Sequence, residues 1–279
     1  MKLHDLAESL SRALPLLRCP RCGAPLRIER EQSLLCASGH CYDLSAKGYV
    51  NLAPSRDQSA EKYDAQLFAS RSRVLEAGFY QPLLDALLSE LAGAETILDA
   101  GCGEGYYARR IASAMPDACV VGLDLSRDAI LAAARQSRRP TWLVADLTRL
   151  PLADASVDAI VDVLTPAGYS EFERVLKPDG LLLKAIPAND YLCEIRQAVA
   201  DRLRSASFSN ERVVEHLQAN MDVLRRHSVS RTLPLTAEQS EDFLRMTPMT
   251  FGLPPETLAD IRLERITVAM ELLVCRRKP

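Results

Sequence analysis

No stretch of this sequence approaches the roughly 18 uncharged apolar residues that a membrane-spanning helix needs, and Glu8 and Arg12 interrupt the apolar run nearest the N-terminus. That argues against a helical anchor and a secretory leader, and predicts a cytoplasmic protein. Charge of one sign is missing too. The 34 Lys/Arg and 37 Asp/Glu leave a formal charge of −3, which excludes a protein that coats nucleic acid indiscriminately. A local basic face stays open, because residues 12–73 carry ten Lys/Arg against six Asp/Glu. Internal repeats and low-complexity tracts are absent. What is present is an ordinary globular composition, 48% apolar and 25% charged, in 279 residues. That length suffices for one large core, or for one core with a small satellite module.

Eight cysteines in a reducing compartment point to metal binding or catalysis more than to disulfides. Four positions form a pattern: Cys19-x2-Cys22, then Cys36 after a short hairpin segment "LRIEREQSLLC", then His40 with Cys41 beside it. A Cys-x2-Cys knuckle lets two thiolates reach one ion from a tight turn, and Gly23 lets the chain curl beneath it. Three cysteines plus His40 or Cys41 make a closed tetrahedral N/S set, the donor set of structural Zn2+. A module this small has little core, so the ion would supply much of its folding free energy. Cys102, Cys119, Cys193 and Cys275 are far apart and read as packed thiols.

The middle of the chain reads "ETILDAGCGEGYYARRIASAMPDACVVGLDLS". An apolar run, "TILDA", predicts a buried strand, Gly101-Cys-Gly103-Glu-Gly105 a tight turn, and "YYARRIASAM" a helix. "CVVGLD" predicts the next strand, giving a βαβ unit with its ligand crevice at the strands' carboxyl ends. A glycine loop alone also suits dinucleotides. Acids choose between them: Asp99, Asp124 and Asp146 stand at three successive strand ends. Three carboxylates suit a cationic, phosphate-free ligand, and a pyrophosphate would avoid them. S-adenosylmethionine fits, with Asp99 toward its ammonium, Asp124 toward its ribose hydroxyls and Asp146 toward its adenine amino group.

Read end to end, the chain resembles the RlmA-type 23S rRNA (guanine-N1)-methyltransferases. The resemblance rests on the cysteine knuckle, "YDLSAKGYVNL", "GFYQPL" (78–83), "DAGCGEGYY" (99–107), "VLKPDG" (175–180) and "FLRMTP" (243–248). It implies an enzyme that methylates N1 of a guanine in hairpin 35 of 23S rRNA. It also implies zinc on Cys19, Cys22, Cys36 and His40, and donor contacts at Tyr80, Tyr107 and Ala108. The stretch "SAEKYDAQLFASRSRVLEAGFY" is longer than in the enterobacterial branch, and Asp179 stands where a second glycine is common.

Guanine N1 carries a proton that the site must help to remove, and "AIVDVLTPAGY" follows the fourth strand where amine-methylating relatives carry an Asn/Asp-Pro-Pro-aromatic clamp. Thr165-Pro166-Ala167 replaces that clamp, which favours a ring nitrogen and places Thr165 at the acceptor pocket. No general base is identifiable; Asp162 is the nearest acid, and His216 reads as a surface residue. Tyr42 and Tyr49 are candidates to stack on RNA bases, although Tyr49 more readily seals the module against the large domain, and Arg18, Arg21, Arg27, Lys47 and Arg56 are candidates to meet phosphates. The expected architecture is α/β: an N-terminal zinc-binding RNA-recognition module (1–53), a helical linker (54–90) and a methyltransferase domain with a Rossmann-like seven-stranded sheet (91–279). Residues 190–220 read as a helical lid over the acceptor cleft. A homodimer is compatible with this reading. Two rivals are a small-molecule methyltransferase that keeps zinc as a staple, and a non-catalytic rRNA-binding factor.

Overall fold

The computed structural model describes residues 3–53, 65–200 and 209–278. Apolar residues spaced along one face of "LHDLAESLS" form helix α1 (Leu3–Ser11), which buries Leu6, Ala7 and Leu10. Four short strands follow: β1 (Leu26–Glu29), β2 (Ser33–Cys36), β3 (Cys41–Ser45) and β4 (Tyr49–Asn51). They pair antiparallel in sequence order, and Arg30 and Glu31 take left-handed φ in the β1–β2 turn.

Helices α2 (Ala65–Glu76) and α3 (Gln81–Glu90) lead to the main sheet. Its parallel strands are β5 (Thr96–Ala100), β6 (Cys119–Asp124), β7 (Thr141–Val144), β8 (Val157–Val163) and β9 (Leu176–Pro187). Helices α4 (Tyr106–Ala114) and α5 (Arg127–Gln136) cross over between the first three, and α6 (Tyr169–Val175) precedes β9. After α7 (Cys193–Ala198) and α8 (Glu211–Asn220) come β10 (Met221–Pro234), α9 (Ala237–Met246) and β11 (Arg265–Arg277). β11 inserts antiparallel between β9 and β10. The seven strands run β7-β6-β5-β8-β9-β11-β10. β10 was not legible in the sequence: as the outermost strand it keeps mostly polar, exposed residues and lacks the apolar alternation of a core strand.

The N-terminal segment does not stand beside this sheet as a satellite. β4 pairs parallel with β7, Val50 opposite Leu143 and Asn51 opposite Val144, so the small sheet continues the large one. No helix spans the β7–β8 connection. The strip a crossover helix would cover is filled by Leu6, Leu10, Ala13 and Leu17 against Leu143, Leu150 and Leu152. Arg18 N–H donates to the Pro151 carbonyl and Ala153 N–H to that of Leu16, both within 2.9 Å. The opposite face buries Leu83, Leu84 and Leu87 of α3, Ile111 of α4 and Ile130 of α5.

Residues 190–220 are helical in part, and among the described residues of the segment those that face the cleft lie at its start. Tyr191 and Arg196 line the cavity described below. Helix α8 instead packs on the other face of the sheet, with Leu217 against Phe172 and Met221 and His216 edge-on to Tyr169. That corrects the lid expectation for α8. Residues 201–208 and Arg56, with the 54–64 portion of the linker, lie outside the described residues.

Candidate functional site

Cys19, Cys22, Cys36 and His40 converge with one ligand atom each, all within 4.8 Å of one another. His40 Nδ1 is 3.4 Å from the sulfurs of both Cys19 and Cys36, and the Cys22 and Cys36 sulfurs are 3.6 Å apart. Tetrahedral zinc at ordinary bond lengths holds its ligand atoms about 3.5–3.8 Å apart, so the set fits that ion. Cys41, exposed at the start of β3, is outside the cluster, because successive strand residues point to opposite faces. The thiol of Cys22 is pulled down to about 6, chiefly by the backbone N–H of Ala24 and also by Ser38, which favours the thiolate a metal needs. The Tyr42 hydroxyl lies 3.2 Å from the Cys19 sulfur. This corrects the stacking role expected of Tyr42, which is buried and committed to a ligand atom. Tyr49 is buried as well, and accepts a 2.9 Å hydrogen bond from Arg127 Nε on α5. It seals the module to the sheet.

A cavity of about 570 Å³ opens at the carboxyl ends of β5, β6, β7 and β8. Tyr80, Gly101, Gly103, Tyr107, Asp124, Asp146 and Thr165 line it; Asp99 and Ala108 do not. Asp99 is buried beneath the glycine loop, where its carboxylate accepts the N–H of Ala108 at 2.9 Å and anchors the start of α4. Asp99 thus has a supporting place in the loop's floor, behind the residues that line the cavity. Burial pushes its carboxyl up to about 7 against the pull of that hydrogen bond. Asp124 spans the loop: one oxygen accepts from Gly103 N–H at 2.9 Å, the other from Ser126 N–H at 2.8 Å. Burial raises its carboxyl above the ordinary value as well. Asp146 accepts from the backbone and hydroxyl of Thr148 at 2.9 and 2.8 Å.

Two glycines of the loop are required by their neighbours. At Gly101 (φ 73°) a Cβ would lie 2.4 Å from the Thr165 methyl, and at Gly105 (φ 78°) 2.4 Å from the ring of Trp142.

The cavity also holds residues the sequence reading missed. Arg71 of α2 lies over the loop, its Nε 3.5 Å from Glu104, and its cationic form is favoured chiefly by that carboxylate. Glu104 is buried, and its carboxyl is raised by that burial. Among the described residues neither of its oxygens has a hydrogen-bond partner, and neither does the buried Tyr107 hydroxyl. The Tyr80 and Tyr191 hydroxyls share a 2.7 Å hydrogen bond. Buried polar atoms without partners are costly and mark where a polar ligand belongs. A cation beside a carboxylate that lacks hydrogen-bond partners suits a zwitterion such as an α-amino acid group. The one available signal was that "GCGEGYY" places an acid and an aromatic inside an otherwise apolar turn.

Beyond Asp124 and Asp146 the wall turns apolar: Leu147, Leu164, Pro166, Pro187, Met246 and Met249. Thr165 sits between the two halves, its hydroxyl 3.4 Å from the Gly101 carbonyl. Asp162 does not reach the cavity. It is fully buried and paired with Lys184, whose Nζ lies 3.0 and 2.9 Å from its two oxygens. Burial lifts the Asp162 carboxyl to about 6, opposed by that ammonium.

Residues 97–180 match the family profile described as a methyltransferase domain, and residues 17–60 a zinc ribbon described as RlmA, N-terminal. A relative from Bacillus subtilis (strain 168), named provisionally as a 23S rRNA (guanine-N1)-methyltransferase, is 34% identical over 93% of this chain and 96% of its own length. A Streptomyces fradiae protein named 23S rRNA (guanine(748)-N(1))-methyltransferase is 31% identical over 94% and 97%. The fold alone is shared with a SAM-dependent methyltransferase from Aquifex aeolicus, at TM-score 0.51 and 17% identity over 78% of this chain and 100% of that one.

Proposed function

From the premise that this chain belongs to the 23S rRNA (guanine-N1)-methyltransferase family, we propose that it methylates N1 of a guanine in hairpin 35 of 23S rRNA. The observation that carries this reading is likeness over the whole length, zinc ribbon and catalytic sheet together. A shared methyltransferase sheet alone would leave the substrate open.

S-adenosylmethionine supplies an electrophilic methyl group on a sulfonium. This chain's residues would hold that donor by its polar ends. Arg71, ion-paired with the buried Glu104, faces its amino acid group, Asp124 accepts from its ribose hydroxyls, and Asp146 receives the adenine amino group. Transfer is an in-line displacement, so the protein's main task is to place the nucleophile opposite the departing sulfur. The apolar wall from Leu164 to Met249 accepts the flat faces of an unstacked purine and keeps water from the reacting atoms.

The zinc ribbon reads as the RNA grip. The register of β3 on β4, extended, brings His40 and Cys41 level with Ala53, at the sheet end where the cavity opens. Arg21, in the knuckle beside Cys22, is exposed on that side, while Lys47 is exposed in the β3–β4 turn at the other end of those strands; neither forms an ion pair among the described residues. With Tyr42 and Tyr49 buried, the grip acts through charge on phosphates.

The test is transfer of labelled methyl from S-adenosylmethionine to protein-free 23S rRNA, followed by reverse transcription. The expected outcome is a single new stop next to one guanine, because N1 methylation blocks its pairing edge. Label appearing only in a metabolite fraction would overturn the assignment.

A further inference from the structure

We propose that the buried Asp162–Lys184 pair is a positioning device for methyl transfer, gripping the backbone of Thr165 so that the acceptor turn is held against the glycine loop. The two residues are neighbours across the parallel β8–β9 ladder, and both are almost wholly buried. A buried ion pair is seldom worth its desolvation for stability alone; apolar residues of similar volume usually serve as well. The hydrogen bonds this pair makes outside itself converge on one residue. The Lys184 ammonium donates to the carbonyl of Thr165, and the Thr165 N–H faces the Asp162 carboxylate and favours its charged form. Thr165 is therefore held by a charge at each end of its backbone.

The turn has reason to need this. Leu164, just before it, takes a left-handed φ of 57° and is 40% exposed at the cavity wall. A branched residue so placed persists only when its surroundings over-determine it. Its N–H is tied to the Ala185 carbonyl at 3.1 Å on one side, and the clamped Thr165 follows on the other. Thr165 in turn leaves no space above Gly101 for even one methyl group. A shift of the turn would change the spacing between the donor loop and the acceptor wall, and a displacement of about 1 Å can cost 100-fold in rate.

The test compares the intact zinc-loaded protein with the D162L/K184M double variant, in which both charges leave together. Amide hydrogen exchange over residues 163–169 should quicken at least about tenfold, the loss of buried hydrogen bonds to charged groups, while β5 and β11 keep their protection. With 23S rRNA as acceptor, kcat should fall about 100-fold while the Kd for S-adenosylmethionine, by calorimetry, stays within about threefold. Unchanged exchange in the turn overturns the proposal, and so does a kcat within about threefold of the parent. Only the kcat readout rests on the rRNA reading. If the parent transfers nothing to rRNA, that reading fails and the exchange result decides the clamp by itself. Should the double variant not fold, D162N, which keeps the shape, is read by the same two criteria.

Discussion

The Cys/His cluster and the donor cavity are both gatherings of polar groups, built in opposite ways. The cluster draws its ligand atoms from residues 19–40, closed by two tight turns and a hairpin, and its buried Cys19 and Cys36 adjoin Leu17, Leu26 and Leu34 of the apolar layer on one face of the sheet. The cavity takes its walls from residues 67 to 249: helix α2, the glycine loop, four strand ends and the chain after α9. In the first, ligand atoms close in sequence meet at the edge of that apolar layer, where an ion would tie them together. In the second, a core with two packed faces buries carboxylates drawn from separate strands, and their pKa values rise with that burial. The two are joined mechanically. Tyr49 reaches from the module to Arg127 on α5, and Leu52 N–H donates to the Val144 carbonyl two residues before Asp146.

The largest effect that would break this comparison is expected at Asp124. Asp124→Ala removes two charge-assisted anchors of the loop and the acceptor for the donor's hydroxyls, so calorimetry should show donor affinity falling by at least about 100-fold with zinc content unchanged. Affinity within threefold of the parent would break the cavity reading. Next comes the module's own surface charge. Arg21→Glu with Lys47→Glu should weaken rRNA binding by about 30-fold in filter-binding assays, with a shallower salt dependence and an unaltered donor Kd. Equal binding at low salt would remove the module from the RNA path.

A smaller effect separates the two kinds of polar group by pH. Asp99 has a folded-state pKa raised to about 7, so its contribution to stability is complete below about pH 4 and is lost as pH rises through 7. Between pH 6 and 8 the parent should lose about 1.4 kcal/mol of stability relative to Asp99→Asn, measured by urea unfolding with zinc bound. Parallel pH curves for the two proteins would contradict the burial argument. The smallest effect sits at the seam. Tyr49→Phe deletes one hydrogen bond and should cost about 1 kcal/mol, a Tm lower by roughly 2–4 °C, with no change in zinc stoichiometry.

Local patterns were legible. The βαβ unit could be read because "TILDA" and "CVVGLD" are short apolar runs punctuated by glycine and an acid, and both became strands with those ends. The four metal-ligating positions converge because their spacing alone confines them. Arg71 and Tyr191 were not readable, since one lies 30 residues before the glycine loop and the other far beyond it, and nothing in either neighbourhood signals a ligand. Tyr42 was misread for a related reason. An aromatic beside basic residues looks the same in sequence whether it faces solvent or a neighbouring element.

By itself, then, the sequence determined what periodicity, turn residues and short-range spacing control: a parallel sheet with acids at its strand ends, and a metal-ligating knuckle. Tertiary structure alone decided that β4 extends that sheet, that Asp99 lies under the loop and Asp124 over it, and that Asp162 with Lys184 holds Thr165. The reason is that burial and pairing depend on which distant segments meet, and chain order records only near neighbours.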